Sequence, residues 1–73
     1  MLEVMPLALA HIGEENTVKR IGGSPEVKKY LEALGFVVGG SVTIIASLAG
    51  NMIVCVKEVR VAVSREMARN IMI

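Results

Sequence analysis

From Ala33 to Val56 the chain reads ALGFVVGGSVTIIASLAGNMIVCV without one charged side chain. A helix of that length would cross a bilayer, but the stretch is punctuated by Gly35, Gly39, Gly40, Gly50 and Asn51. Gly39 with Gly40 and Gly50 with Asn51 are turn signals about a strand length apart. Between them SVTIIASLA, and after them MIVCVK, are rich in β-branched side chains, which fit a pleated surface better than a helix. The pattern predicts two strands, Ser41 to Leu48 and Met52 to Lys57. A tight hairpin joins them at Gly50 and Asn51, both of which tolerate positive φ.

Upstream, SPEVKKYLEALG carries the signals of a helix. Ser24 is an N-cap, Pro25 stands at the first helical position, Glu26 faces the positive end of the dipole, and Gly35 closes the C-terminus. Val27, Tyr30, Leu31 and Leu34 recur at helical spacing as its apolar stripe. The lead-in MPLALAHIGEE predicts one helical turn or an irregular segment, with Leu7, Leu9 and Ile12 as buried contacts. NTVKRIG predicts a strand in which Val18 and Ile21 break strict alternation, the mark of a bend or bulge. Downstream, Arg60 to Val63 is a third hairpin strand, Ser64 caps a short helix in REMARN, and Ile71 to Ile73 returns as an extended edge. Five short strands with short helices give a mostly β chain, a strongly bent sheet closed into a small barrel. The whole of residues 1–73 is expected to be a single domain.

Alternation then assigns faces. Val42, Ile44, Val54, Val56, Val61 and Val63 are expected to point inward with Leu31, Leu34 and Ile71, and Thr43, Ile45, Ser47, Ile53 and Cys55 outward. Two isoleucines on an outer face either lie under another segment or serve as a contact surface. The candidate contact set is Ile45, Leu48, Met52 and Ile53, with Tyr30 as a neighbour; Met suits adaptable surfaces. Gly35, Gly39 and Gly50 are read as backbone positions of unusual φ that shape this hairpin.

Composition sharpens the picture. The chain has 73 residues, of which 53% are hydrophobic, and a mean hydropathy of +0.61. A chain this short buries only about 60% of its unfolded surface, so it gains from a partner or from self-association. The net charge is +1, and the small basic groups Lys19–Arg20, Lys28–Lys29 and Arg65 with Arg69 are interspersed with glutamates. No nucleic-acid partner is expected from so dispersed a charge, and one Tyr and one Phe are too few for base stacking.

The chemistry of a catalytic or metal site is missing. One His, one Cys and no Asp cannot complete a first-row metal site, so no cofactor and no metal site are expected. His11 reads as a lead-in residue, and Glu14 with Glu15 as a solvated pair. Cys55 lies mid-strand without a basic partner nearby in sequence, the caps account for Ser24 and Ser64, and there is no phosphate-binding glycine loop. An enzyme is not expected. A lone cysteine allows no intrachain disulfide, and the opening MLEVMPLALAHIGEEN, with Glu3 and Pro6 inside its apolar segment, does not fit a secretory signal. The expected location is the cytoplasm, without membrane insertion.

Taken together, these segments resemble the bacterial ferrous iron transport protein A (FeoA) family. MPL with Leu9, Ala10 and Gly13 resembles the family's opening. Leu31, Leu34, Gly35, Phe36 and Gly39, followed by Val42, resemble its LxxLGFxxG and strand. Gly50 with Asn51 resembles its hairpin, and Arg60, Val61 and Ala62, then Ala68 and Ile71, its closing RxA strand and helix. The family often has glycine in the turn before that strand, where this chain has Glu58 and Val59. The resemblance implies an SH3-like barrel and an accessory role, docking on the cytosolic GTPase-containing region of a membrane ferrous iron transporter, with at most weak transition-metal binding. It also implies an alternative, a regulatory module like the C-terminal domain of metal-responsive repressors.

Overall fold

The computed structural model describes residues 4–73. A single 3-10 turn, Leu7–Leu9, precedes β1 (Glu15–Thr17), β2 (Arg20–Ile21), α1 (Pro25–Leu34), β3 (Ser41–Leu48), β4 (Asn51–Val56), β5 (Val59–Ser64), α2 (Arg65–Ala68) and β6 (Ile71–Met72). The strands pair antiparallel as a four-stranded sheet, β1-β3-β4-β5, and a two-stranded ribbon, β2-β6.

Six strands stand where five are expected, and the cause lies at Val18. Its N–H donates to the Gly40 carbonyl and its own carbonyl accepts from Gly39 N–H, each at 2.8 Å. These bonds draw Val18 into the core, 1% exposed, and split NTVKRIG between the two sheets. The expected bend is therefore a complete break.

The helix follows its sequence signals. Ser24 Oγ accepts from Val27 N–H at 3.3 Å, and Pro25 opens α1. Gly35, at φ 113°, ends it. Phe36 N–H donates to the Leu31 carbonyl at 3.0 Å and Gly35 N–H to the Glu32 carbonyl at 2.9 Å, which is a Schellman closure. Leu31 and Phe36 are both fully buried, so the cap also seats the one large aromatic of the core. Val27 and Leu34 pack half-buried against that core. Tyr30 is 49% exposed, because Val27, Leu31 and Leu34 already define the inward line and Tyr30 falls at its edge.

The inner sheet face carries Val42, Ile44, Met52, Val54, Val56 and Val63, none more than 4% exposed. Leu7, Val18, Leu31, Phe36, Ala68, Ile71 and Ile73 complete the core. Of the residues expected inward, only Val61 and Leu34 are half-buried rather than buried. The first and last described segments close the structure. Met5 and Ile73 exchange backbone hydrogen bonds of 3.0 and 2.9 Å, and Lys19 N–H donates to the Met72 carbonyl at 2.7 Å. Leu9 and Ile12, expected buried, are 68% and 60% exposed. Within the Leu7–Leu9 turn about one side chain in three aims inward, and that one is Leu7; Ile12 lies beyond the turn, in the loop that leads to β1.

Candidate docking surface

Three local features shape the tip of the β3–β4 hairpin. Ile44 lies opposite Val54, but Ala46 lies opposite Ile53. Ile45 is thus the extra residue of a β-bulge, which shifts alternation by one beyond it. The Ile44 carbonyl accepts from Gly13 N–H at 2.8 Å, tying the loop after the 3-10 turn to the bulge. The turn itself is Ala49–Gly50, at φ 21° and 87°. It falls one residue before the expected position, since Asn51 already pairs with Leu48 and with Ser64.

The second tie comes from α2. Arg65 N–H donates to the Gly50 carbonyl at 2.9 Å, and its guanidinium donates to Ser47 Oγ at 3.2 Å. Ser64, as N-cap, accepts from Met67 N–H at 3.1 Å and starts the helix at that point. The 3-10 turn packs on α2, and Pro6, Ala8, Leu9, Arg65 and Arg69 line the groove between them.

These ties hold the segments that carry four exposed apolar side chains against the tip half of the hairpin. Leu9, Ile12, Ile45 and Leu48 are 68%, 60%, 38% and 59% exposed. Of the expected contact residues, Ile45 and Leu48 stand on this surface. Ile53 is half-buried on the outer face, between Ala46 of β3 and Ala62 of β5. Met52 does not belong to the surface: it is 2% exposed, because it shares the inward parity of Val54 and Val56 on β4. Tyr30 is not brought to the tip. Its helix ends at Gly35, where an added β-carbon would lie 3.6 Å from Val56 Cγ1, at the opposite end of β4 from Asn51. Gly35, Gly39 and Gly50 all have positive φ, at 113°, 90° and 87°.

Leu9 and Ile12 join the surface although their apolar pattern points to burial. Arg65 and Arg69 join it too, and their four-residue spacing is the sequence signal for a shared helical face. Among the described residues, no group of three or more His, Cys, Asp or Glu could hold a metal ion. No helix among them is long and apolar enough to cross a membrane.

The FeoA domain model matches residues 5–73. The chain belongs to the FeoA domain family. A crystal structure of the iron uptake regulatory protein FeoA is 28% identical, with TM-score 0.87 over 97% of this chain and 95% of that one. The zinc-complexed FeoA of Stenotrophomonas maltophilia, described as a prokaryotic SH3 domain protein, is 22% identical, with TM-score 0.80 over 92% of this chain and 86% of that one. A manganese-dependent transcriptional repressor bound to manganese shares the fold at TM-score 0.90 and 20% identity. This FeoA-family chain matches it over 99% of its own length but spans 36% of the repressor. The fold is therefore the SH3-like one common to FeoA proteins and to part of these repressors. A search of curated protein sequences found no match.

Proposed function

We propose that this FeoA-family chain is a non-catalytic, cytoplasmic accessory domain of ferrous iron uptake. It docks on the cytosolic GTPase-containing region of a membrane iron transporter and modulates it. The observation that carries the reading is that Leu9, Ile12, Ile45 and Leu48 are all exposed on segments tied to the tip half of the β3–β4 hairpin, apolar area of the kind that marks a contact surface. The S. maltophilia relative, described as a candidate ferrous iron transport activating factor, supports the same assignment.

The test is an amide NMR titration of labelled protein with the soluble GTPase-containing region, with and without nucleotide. Docking shifts the amides of residues 8–13 and 44–50 and spares the exposed face of α1. A well-dispersed spectrum without shifts at saturating partner would sink the reading. Ile45→Glu with Leu48→Glu, both exposed, should abolish binding in a protein that still folds.

The match to the manganese-dependent repressors supports a second reading, a regulatory module that contacts another domain or nucleic acid. Salt separates the two. Contact with phosphates weakens steeply as salt rises, whereas an apolar docking surface is nearly indifferent to it. Molecular mass as a function of concentration distinguishes both from self-association.

A further inference from the structure

The groove between the Leu7–Leu9 turn and α2 has a chemical character of its own. Arg65 and Arg69 are four residues apart and both line it. Like charges at this spacing repel on a helix. No carboxylate among the described residues offsets them: Arg65 bonds the neutral Ser47 hydroxyl, and the Arg69 side chain has no polar partner among those residues. Glu66 sits next to Arg65 in sequence but about 100° round the helix, and it does not line the groove.

Arg65 is held at both its backbone and its side chain, by Gly50 and Ser47. Only one of the five N–H donors of a guanidinium is used in the Ser47 bond. The remaining fork is preorganised for a planar anion, the geometry in which arginine grips a carboxylate through two parallel bonds. Pro6, Ala8 and Leu9 form the other wall. The groove holds about 270 Å³, below the roughly 300–1,000 Å³ of small-molecule pockets, and it is partly open to solvent. One or two side chains of a passing segment fit it better than a cofactor does.

We infer that this groove binds a short acidic and aliphatic peptide segment of a partner protein. A carboxylate lies between Arg65 and Arg69, and a neighbouring aliphatic side chain lies against Pro6, Ala8 and Leu9. The inference deepens the docking reading above and rests on it for the origin of the segment. Charge complementarity selects the occupant. The two cations call for an anion and the apolar wall for an aliphatic neighbour, whereas a nucleic acid would need a wider basic footprint than a net charge of +1 provides.

The experiment is selection from a random dodecapeptide phage library on the immobilised intact chain. The enriched peptides are then titrated into labelled protein. Peptides carrying Asp or Glu beside Leu, Ile or Val are expected, with amide shifts at residues 6–9 and 65–69. Arg69→Glu alters a side chain without a partner among the described residues and should keep a dispersed spectrum. It should weaken those peptides about tenfold or more, the loss expected for a charge-assisted hydrogen bond. Leu9→Ser should weaken them less, and Arg69→Lys should retain part of the affinity.

Absence of enrichment, enriched peptides without acidic residues, or shifts centred on Lys28 and Lys29 would each overturn the inference. So would inorganic phosphate binding as tightly as the best peptide, since the groove would then be a bare anion site. The titration with the GTPase-containing region is scored separately. If the selected peptides bind and that region does not, the groove assignment stands and the choice of transporter falls.

Discussion

The two ends of the β3–β4 hairpin are built from the same aliphatic residue types and finished differently. At the root, Val42 and Val56 face each other and are 0% and 2% exposed, with the Gly35 cap against Val56 and Phe36 fully buried. At the tip, Ile45 and Leu48 keep 38% and 59% of their surface. A ten-residue helix ends beside Val56 at the root, whereas a 3-10 turn and a four-residue helix stand at the tip. The inward face therefore holds the fold together at both ends, since Met52 at the tip is also only 2% exposed, and the outward face of the tip leaves apolar area free for a partner.

The root breaks most easily at Phe36. Truncation to Ala should cost about 3–5 kcal/mol, a large part of the stability of so small a domain. Urea unfolding monitored by circular dichroism would show it, and a loss below about 1 kcal/mol would mean that the Schellman closure does not anchor the root.

Next comes a pair of residues flanking one turn. Met52→Ala should cost about 2–5 kcal/mol, whereas Leu48→Ala should stay within about 0.5 kcal/mol, since one is 2% and the other 59% exposed. Binding should respond in the opposite sense, with Leu48→Ala weakening the partner. Equal unfolding midpoints for the two variants would erase the distinction between the inward and the outward face of the tip.

How far these positions are legible in sequence depends on the range of the forces that set them. Helix α1 and its two caps are local chemistry, and Ser24, Pro25 and Gly35 announce them unaided. The same holds for β3 and for the Ser64 cap. The family resemblance spans the chain for the same reason, since its motif residues mark caps, turns and strand starts. The bulge at Ile45 needs the Gly13 N–H on the Ile44 carbonyl, from a loop thirty-one positions earlier by residue number. The break at Val18 likewise needs Gly39 and Gly40. Met52 is a different case: its parity with Val54 and Val56 already places it inward, and only its nearness to the turn suggests exposure. At Leu9 and Ile12 the hydrophobic pattern points to burial, but the short 3-10 turn fully buries only Leu7, and Ile12 lies in the loop beyond it.

Gly35 tests the helix cap from another direction. A β-carbon there has room, its nearest neighbour being Val56 Cγ1 at 3.6 Å, so Gly35→Ala isolates backbone strain at φ 113°. The expected cost is about 1–2 kcal/mol, read as a lower thermal midpoint without any change in binding at the tip. A neutral result would place the burden of closing α1 on the Phe36 hydrogen bond alone.

The smallest effect concerns the turns at the two ends of β4. At the tip end, the Ala49–Gly50 turn places glycine at φ 87°. At the root end, Lys57 and Glu58 hold φ 51° and 64° between the opposed Val56 and Val59. That is a two-residue primed turn made without the asparagine and glycine that fit it best. Here the family's frequent glycine is missing, and the backbone adopts the strained geometry regardless because the strands on either side fix it. Lys57→Asn with Glu58→Gly should relieve that strain and stabilise the chain by about 0.5–1 kcal/mol, less the extra freedom glycine gives the unfolded state. For a domain of this size the thermal midpoint should rise by roughly 2–8 °C, with tip binding unchanged. A fall in midpoint would show that Lys57 and Glu58 make contacts that outweigh their backbone cost.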